Sequence, residues 1–219
     1  MTNRLVVFDC DGTLVDSQHS ICTAMTRAFE SARLTPPDRL AILSVVGLSL
    51  PHAIARLLPE AEADFHDHLS DRYKQAFHQL RAEKAVSEPL YPGIADLIRD
   101  LDAQGWLLGV ATGKSDRGLG LCLAHHGIAG HFVTLQTADR HPSKPHPSML
   151  LTAMAEAGAA PETTVMIGDT RFDIDMGLAA GVRSIGVGWG YHPPHELAEA
   201  GAHAVAMDSA ELRRHIGTP

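Results

Sequence analysis

The sequence predicts an α/β fold, a doubly wound parallel sheet with a small inserted helical domain. Three observations lead there. Short, wholly apolar runs recur along the chain, as strands buried on both faces require. Helical patterns separate the later runs, and that alternation predicts parallel strands joined by crossovers. Residues 16–85 break the rhythm, with helical periodicity and no convincing strand.

The elements follow in order. "LVVF" at 5–8 reads as the first strand. In the block after it, "ICTAMTRAFESARL" sets Ile21, Met25, Ala28 and Phe29 at helical spacing. Residues 50–85 read as helical for most of their length, with Pro51 and Pro59 as punctuation. Alternation resumes near "YPG" at 91–93. "GIADLIRDLDAQG" then aligns Ile94, Leu97, Ile98 and Leu101 on one face and stops at Gly105. Strands are predicted at 106–112, 131–136, 163–168 and 183–188, with a weaker one at 203–207. "PSMLLTAMAEAG" and "DIDMGLAAG" supply helices that also end at glycine. The predicted division is a core of residues 1–15 and 86–219 with a helical domain at 16–85.

Composition narrows the function. A chain of 219 residues that is 45% hydrophobic can bury a sizeable core. Its net charge of -8 argues against a general nucleic-acid binder, which would present a basic face. Most Lys and Arg residues read as solvated surface. Cys10, Cys22 and Cys122 form no C-x-x-C pair, so free thiols in a reducing cytosol are expected. The apolar run at the N-terminus is too short for a signal peptide or a membrane span, and a cytoplasmic protein with no membrane partner is expected. The expected state is a monomer or a homodimer.

The chemistry concentrates at strand ends. In "VVFDCDGTLVDS", Asp9 and Asp11 stand two apart where the first strand finishes, so their carboxylates should face one cleft, and Gly12 permits a sharp exit. Ligand sites of open α/β sheets lie outside such carboxyl ends. Two neighbouring carboxylates repel unless a cation intervenes. "VMIGDTRFDID" brings Asp169 and Asp173 from a second strand end, an oxygen-rich set of the kind Mg²⁺ accepts. With that metal, Asp9 can stay ionised as a nucleophile while Asp11 donates and later accepts a proton. A lone Asp at a strand end is usually a turn former or a cap; two acid-bearing motifs, each after an apolar strand, outweigh that reading. Asp16 with Ser17 can cap the next helix or support the site through a hydrogen bond, the structural role being the favoured reading, and Asp175 reads as a solvated helix residue.

"GVATGKS" at 109–115 suggests a P-loop, but Gly109 and Gly113 enclose three residues where that loop needs four. Thr112 and Gly113 instead offer a hydroxyl and an amide for phosphate oxygens at a strand end. Lys144, in a proline-rich loop, is the expected cation beside them, whereas Lys114 is expected to begin a helix and face solvent. The fourteen histidines lack the spacing of a metal site and are expected on the surface or on the helical block.

Asp9, Asp11, Thr112, Lys144, Asp169 and Asp173 stand in the order and context of the four motifs of the haloacid dehalogenase superfamily, which the chain resembles over nearly its whole length. The helical block sits where subfamily I members carry a cap, and the closing "SIGVGWGYHPPHELAEAGAHAVAMDSAEL" looks like that of phosphoglycolate phosphatase-like members. The resemblance implies a Mg²⁺-dependent phosphatase acting on a small phosphorylated metabolite. It makes Asp9 the residue that becomes an aspartyl phosphate and Asp11 the acid and base. Asp9, Asp169 and the Asp11 main-chain carbonyl would hold the metal, with Asp173 in support, and Thr112, Gly113 and Lys144 the transferring group. Dehalogenases need no acid at the position of Asp11, which favours phosphate chemistry. Gly47, Leu48 and Ser49 fall where such caps put a loop over the active site and are candidates for reaching substrate, with a plain helix-to-helix turn as the equal alternative. The same core would serve a β-phosphoglucomutase-like mutase or a pyrophosphatase. A receiver-like signalling module uses a similar set but has no natural place for the helical block.

Overall fold

β1 (Asn3–Phe8) lies in the middle of a six-stranded sheet in a computed structural model that describes residues 3–217. The strand is central because it is apolar on both faces. Val6 and Phe8 point into one core layer, Leu5 and Val7 into the other, and all four are fully buried. β2 (Leu107–Thr112) and β3 (Phe132–Thr137) extend the sheet to one side. β4 (Ala159–Gly168), β5 (Arg183–Val187) and β6 (Ala204–Ala206) extend it to the other. The order is β3-β2-β1-β4-β5-β6 and every pairing is parallel. The chain reverses its direction of winding between β1 and β4, the place where such sheets open a crevice.

Helices cover both faces. α5 (Ile94–Ala103), α6 (Asp116–His125) and α10 (Ser209–Ile216) pack with Val6, Phe8, Val110 and Ile167, while α7 (Ser148–Ala157) and α8 (Arg171–Ala179) pack with Leu5, Val7 and Met166. α9 (Pro194–Glu199) bridges β5 to β6. All six expected strands are present. β4 starts four residues before the apolar run that announced it. That extension contains Pro161, which cannot donate to a ladder, and it meets β1 only at Asn3–Ala159 across a register shift.

Residues 16–85 are helical, as α1 (Gln18–Ser31), α2 (Arg39–Leu43), α3 (Leu50–Leu57) and α4 (Ala63–Ala82). Pro51 opens α3 because the N–H it lacks has no partner in a first turn. Ile21, Met25, Phe29, Ile42, Ile54 and Leu69 form an apolar cluster distinct from those of the sheet. The two connections to the sheet run side by side. Asp16 N donates to Pro89 O and Tyr91 N to Leu14 O, at 2.8 and 3.0 Å. Among the described residues no helix is long and apolar enough to cross a membrane.

Candidate active site

Strand geometry persists one residue past β1, since Asp9 N donates to Ile167 O at 2.8 Å. That bond fixes Asp9 beside the end of β4, where Asp169 follows Gly168. Asp173 joins them from the first turn of α8. Its Oδ2 accepts from Thr170 N and Oγ1 at 3.0 and 2.7 Å, completing a capping box. Carboxylate oxygens of Asp9, Asp169 and Asp173 all lie within 4.8 Å of one another, and all three residues are fully buried.

One cation answers them. Lys144, from the loop before α7, holds its Nζ 2.6 Å from Asp173 Oδ1 and 2.9 Å from Asp9 Oδ1, with no exposed side-chain surface. Burial opposes the lysine charge, but Asp173 and Asp9 together outweigh it and raise its pKa. One lysine does not neutralise three acids. Burial pushes the Asp9 carboxyl up to about 7 against the pull of Lys144. Burial, then the charges of Asp173 and Asp9, lift Asp169 well above the usual carboxylate range. Asp9 Oδ2 is buried and has no hydrogen-bond partner among the described residues. A buried orphan oxygen in an all-carboxylate set with surplus negative charge fits a hard divalent cation.

Asp11 stands apart from that cluster. Its Oδ1 accepts from Ser17 Oγ and lies 2.6 Å from Lys114 Nζ. The expectation for Lys114 is overturned: its side chain is only 10% exposed, and it bridges Asp11 to Glu88 Oε1, 2.8 Å away. α6 begins two residues later, at Asp116, so Lys114 belongs to the turn and is free to fold back. Burial disfavours its charge, yet Asp11 and Glu88 contribute to holding its pKa well above the lysine value. Ser17, at the start of α1, makes no cap bond with its side chain and serves Asp11 instead, while Asp16 accepts from Gln18 N. Asp175 is half-buried and lies 3.7 Å from Arg171.

Thr112 ends β2, buried, and its Oγ1 accepts from Lys114 N at 3.2 Å. Gly113 lies against the helical block: a Cβ there would sit 2.5 Å from Leu48 O and 2.8 Å from Gly47 O. Ser49 N donates to Ser143 Oγ at 2.9 Å, tying the same block to the residue before Lys144. Asp9, Asp11, Thr112, Gly113, Gly47, Leu48 and Ser49 therefore share one cavity of about 340 Å³. Lys144, Asp169 and Asp173 lie outside its lining.

Several contributors carried no readable signal. Thr13 Oγ1 donates to Asp169 Oδ1 at 2.8 Å and Tyr191 N to Oδ2 at 2.9 Å. The Tyr191 hydroxyl lies 3.1 Å from Ser17 Oγ and accepts from Ser17 N at the same distance. His192 departs from the expected surface placement. It is buried, accepts at Nδ1 from Arg171 N at 3.3 Å and reaches Ser44 O through Nε2, also at 3.3 Å. Burial lowers its pKa.

Known proteins resemble the chain over most of its length. The chain is similar to "Probable phosphatase IndB" of Dickeya dadantii (strain 3937), 34% identical over 95% of this chain and 91% of that protein. It is also similar to a phosphoglycolate phosphatase of Pseudomonas putida (strain KT2440), 33% identical over 86% of this chain and 71% of that one. Among solved structures, that of a predicted phosphatase from Clostridium acetobutylicum superposes with a TM-score of 0.88 at 25% identity, covering 99% of each chain. The model of the haloacid dehalogenase-like hydrolases matches residues 6–187, a span that runs from β1 to the end of β5 and contains every acid of the site, and the chain belongs to that family.

Proposed function

We propose that the protein is a cytoplasmic, Mg²⁺-dependent phosphomonoesterase of phosphoglycolate phosphatase-like specificity, working through an aspartyl phosphate on Asp9. The observation that carries the reading is Asp9 itself. Among the described residues it is the one that both belongs to the buried acid cluster and lines the cavity, and none of them partners its Oδ2.

In the proposed reaction an Asp9 oxygen attacks phosphorus, a new P–O bond forms, and the bond to the leaving alcohol breaks. Asp11 gives that oxygen a proton. Lys114 and Ser17 both engage Asp11 Oδ1, so Oδ2 has no hydrogen-bond partner among the described residues and is available for the exchange. Water then attacks the aspartyl phosphate, Asp11 takes its proton, and Asp9 is released with inorganic phosphate. Thr112 Oγ1, the Gly113 amide and Lys144 hold the phosphoryl oxygens, whose charge is the main demand of such transfers. Asp9, Asp169 and the main-chain carbonyl of Asp11 would hold Mg²⁺, with Asp173 in support, and the ion supplies positive charge to the phosphoryl group. Residues 16–85 act as a cap that excludes water, a role supported by the contact of Leu48 and Gly47 with Gly113.

The test is direct. Purified protein should release phosphate from p-nitrophenyl phosphate, lose that activity with chelator and regain it with MgCl₂. Full activity in Asp9→Asn overturns the assignment of the nucleophile.

A further inference from the structure

We infer that the alcohol released in this reaction carries a second anionic group, read by Arg117 on α6 and His78 on α4. The inference rests on the phosphatase reading and concerns the far side of the same cavity. The cavity is of the size small ligands occupy. Beyond Asp9 and Asp11 its wall passes over apolar side chains, Met25, Ile42, Leu50, Phe77 and Leu121 among them, that suit a carbon skeleton rather than a bare ion.

The cations on that wall are not equivalent. Lys74 lies 3.2 Å from Asp71, Arg81 3.9 Å from Glu88, and Lys114 between Asp11 and Glu88. Arg117 lines the same cavity, and among the described residues no carboxylate lies within 4.0 Å of its guanidinium. Its Nη1 instead faces the His78 ring, 3.4 Å from Nε2 and 3.5 Å from Nδ1. Asp139 is the one lining acid away from the reacting end, and its Oδ2 already accepts from Asp116 N at 2.8 Å.

In a chain of net charge -8, a guanidinium without an acid on a cavity wall is a site that a ligand's anion completes. The planar fork of arginine matches the paired oxygens of a carboxylate or a phosphoryl group. His78 comes from the helical block and Arg117 from the sheet domain. The two side chains already touch, so an anion that both of them bind at the cavity wall also fastens the block to the sheet domain.

The experiment compares substrates that differ only at the far end: 2-phosphoglycolate, ethane-1,2-diol bisphosphate and the uncharged-end analogue ethyl phosphate. The readout is the ratio of kcat/KM for each substrate with a charged far end to that for ethyl phosphate, which cancels any general damage. Wild type should favour at least one substrate with a charged far end, and Arg117→Ala should lower that ratio about tenfold or more, the worth of a hydrogen bond to a charged group. Arg117→Lys should retain part of it and His78→Ala should lower it less. The substrate that loses more identifies the second anionic group as carboxylate or phosphoryl. A wild-type ratio near one for both, or a ratio unchanged in Arg117→Ala, overturns the inference. If wild type hydrolyses no phosphomonoester, the phosphatase reading has failed instead. Calorimetric binding of phosphonoacetate against ethylphosphonate, in wild type and Arg117→Ala, then decides the inference by the same ratio.

Discussion

Lys114 Nζ lies 2.6 Å from Asp11 Oδ1, an ion pair that joins the turn after β2 to the turn after β1. Glu88 shares the same ammonium, and it stands on the connection that returns from the helical block to the sheet. Removing the cation strands two carboxylates that are 11% and 7% exposed. Breaking such buried pairs costs about 3–5 kcal/mol. Lys114→Ala should fall near the lower figure, because Arg81 remains 3.9 Å from Glu88. Urea unfolding measures this, and a loss well below about 1 kcal/mol, the range of exposed pairs, would show that the network is not buried in solution.

Asp9→Asn should separate activity from stability. As the proposed nucleophile its loss should cut phosphate release at least about a thousandfold. The same change removes one of three mutually repelling buried carboxyl groups, so metal-free protein should unfold at an equal or higher temperature. Wild type should also gain stability with MgCl₂ by mass action, and the variant should lose most of that gain. Thermal melts with and without the ion give both answers. A lower melting temperature for metal-free Asp9→Asn would mean that the ion pair with Lys144 outweighs the repulsion.

Gly113→Ala places a methyl 2.5 Å from a backbone oxygen of Leu48, which cannot move without moving the helical block. The sheet does not need that contact. Stability should change by less than about 1 kcal/mol, while kcat falls about tenfold to a hundredfold through displacement of groups round the substrate. Equal activity in the variant would show that the block does not close on Gly113 during turnover.

His192 gives a pH dependence. Its Nδ1 accepts from Arg171 N, so the folded protein needs the neutral ring, and burial lowers its pKa below the value in the unfolded chain. The unfolded chain therefore takes up the proton first. The contribution is intact above about pH 6.5, the ordinary histidine value, and declines as pH falls through and below it. His192→Gln should flatten the pH dependence of unfolding stability between about pH 6.5 and 5. Parallel curves for wild type and variant would remove His192 from the account.

The sheet was legible because its strands carry short apolar runs, and Asp9 and Asp169 were legible because each follows such a run directly. Lys114 was not, since its partner Asp11 is 103 residues away and nothing near it says that it turns inward. For the same reason the sequence left Ser17 between a helix cap and a supporting hydrogen bond. Its position at the start of a helix announces a cap, whereas its bonds go to Asp11 and to a tyrosine 174 residues distant. Local pattern reports what the backbone does. Which charges meet across the sheet is decided by how strand ends converge.

Asp169 sits between two glycine backbones. A Cβ on Gly12, where φ is +87°, would fall 2.1 Å from its Oδ2, and one on Gly190 would fall 2.2 Å from its Cβ. The turns after β1 and β5 are thus pressed against a side chain from the end of β4, with no room for a methyl group on either side. An engineer grafting this centre onto another scaffold must therefore carry all three turns together as a single cassette, because any one of them transplanted alone meets a wall shaped for its missing neighbours.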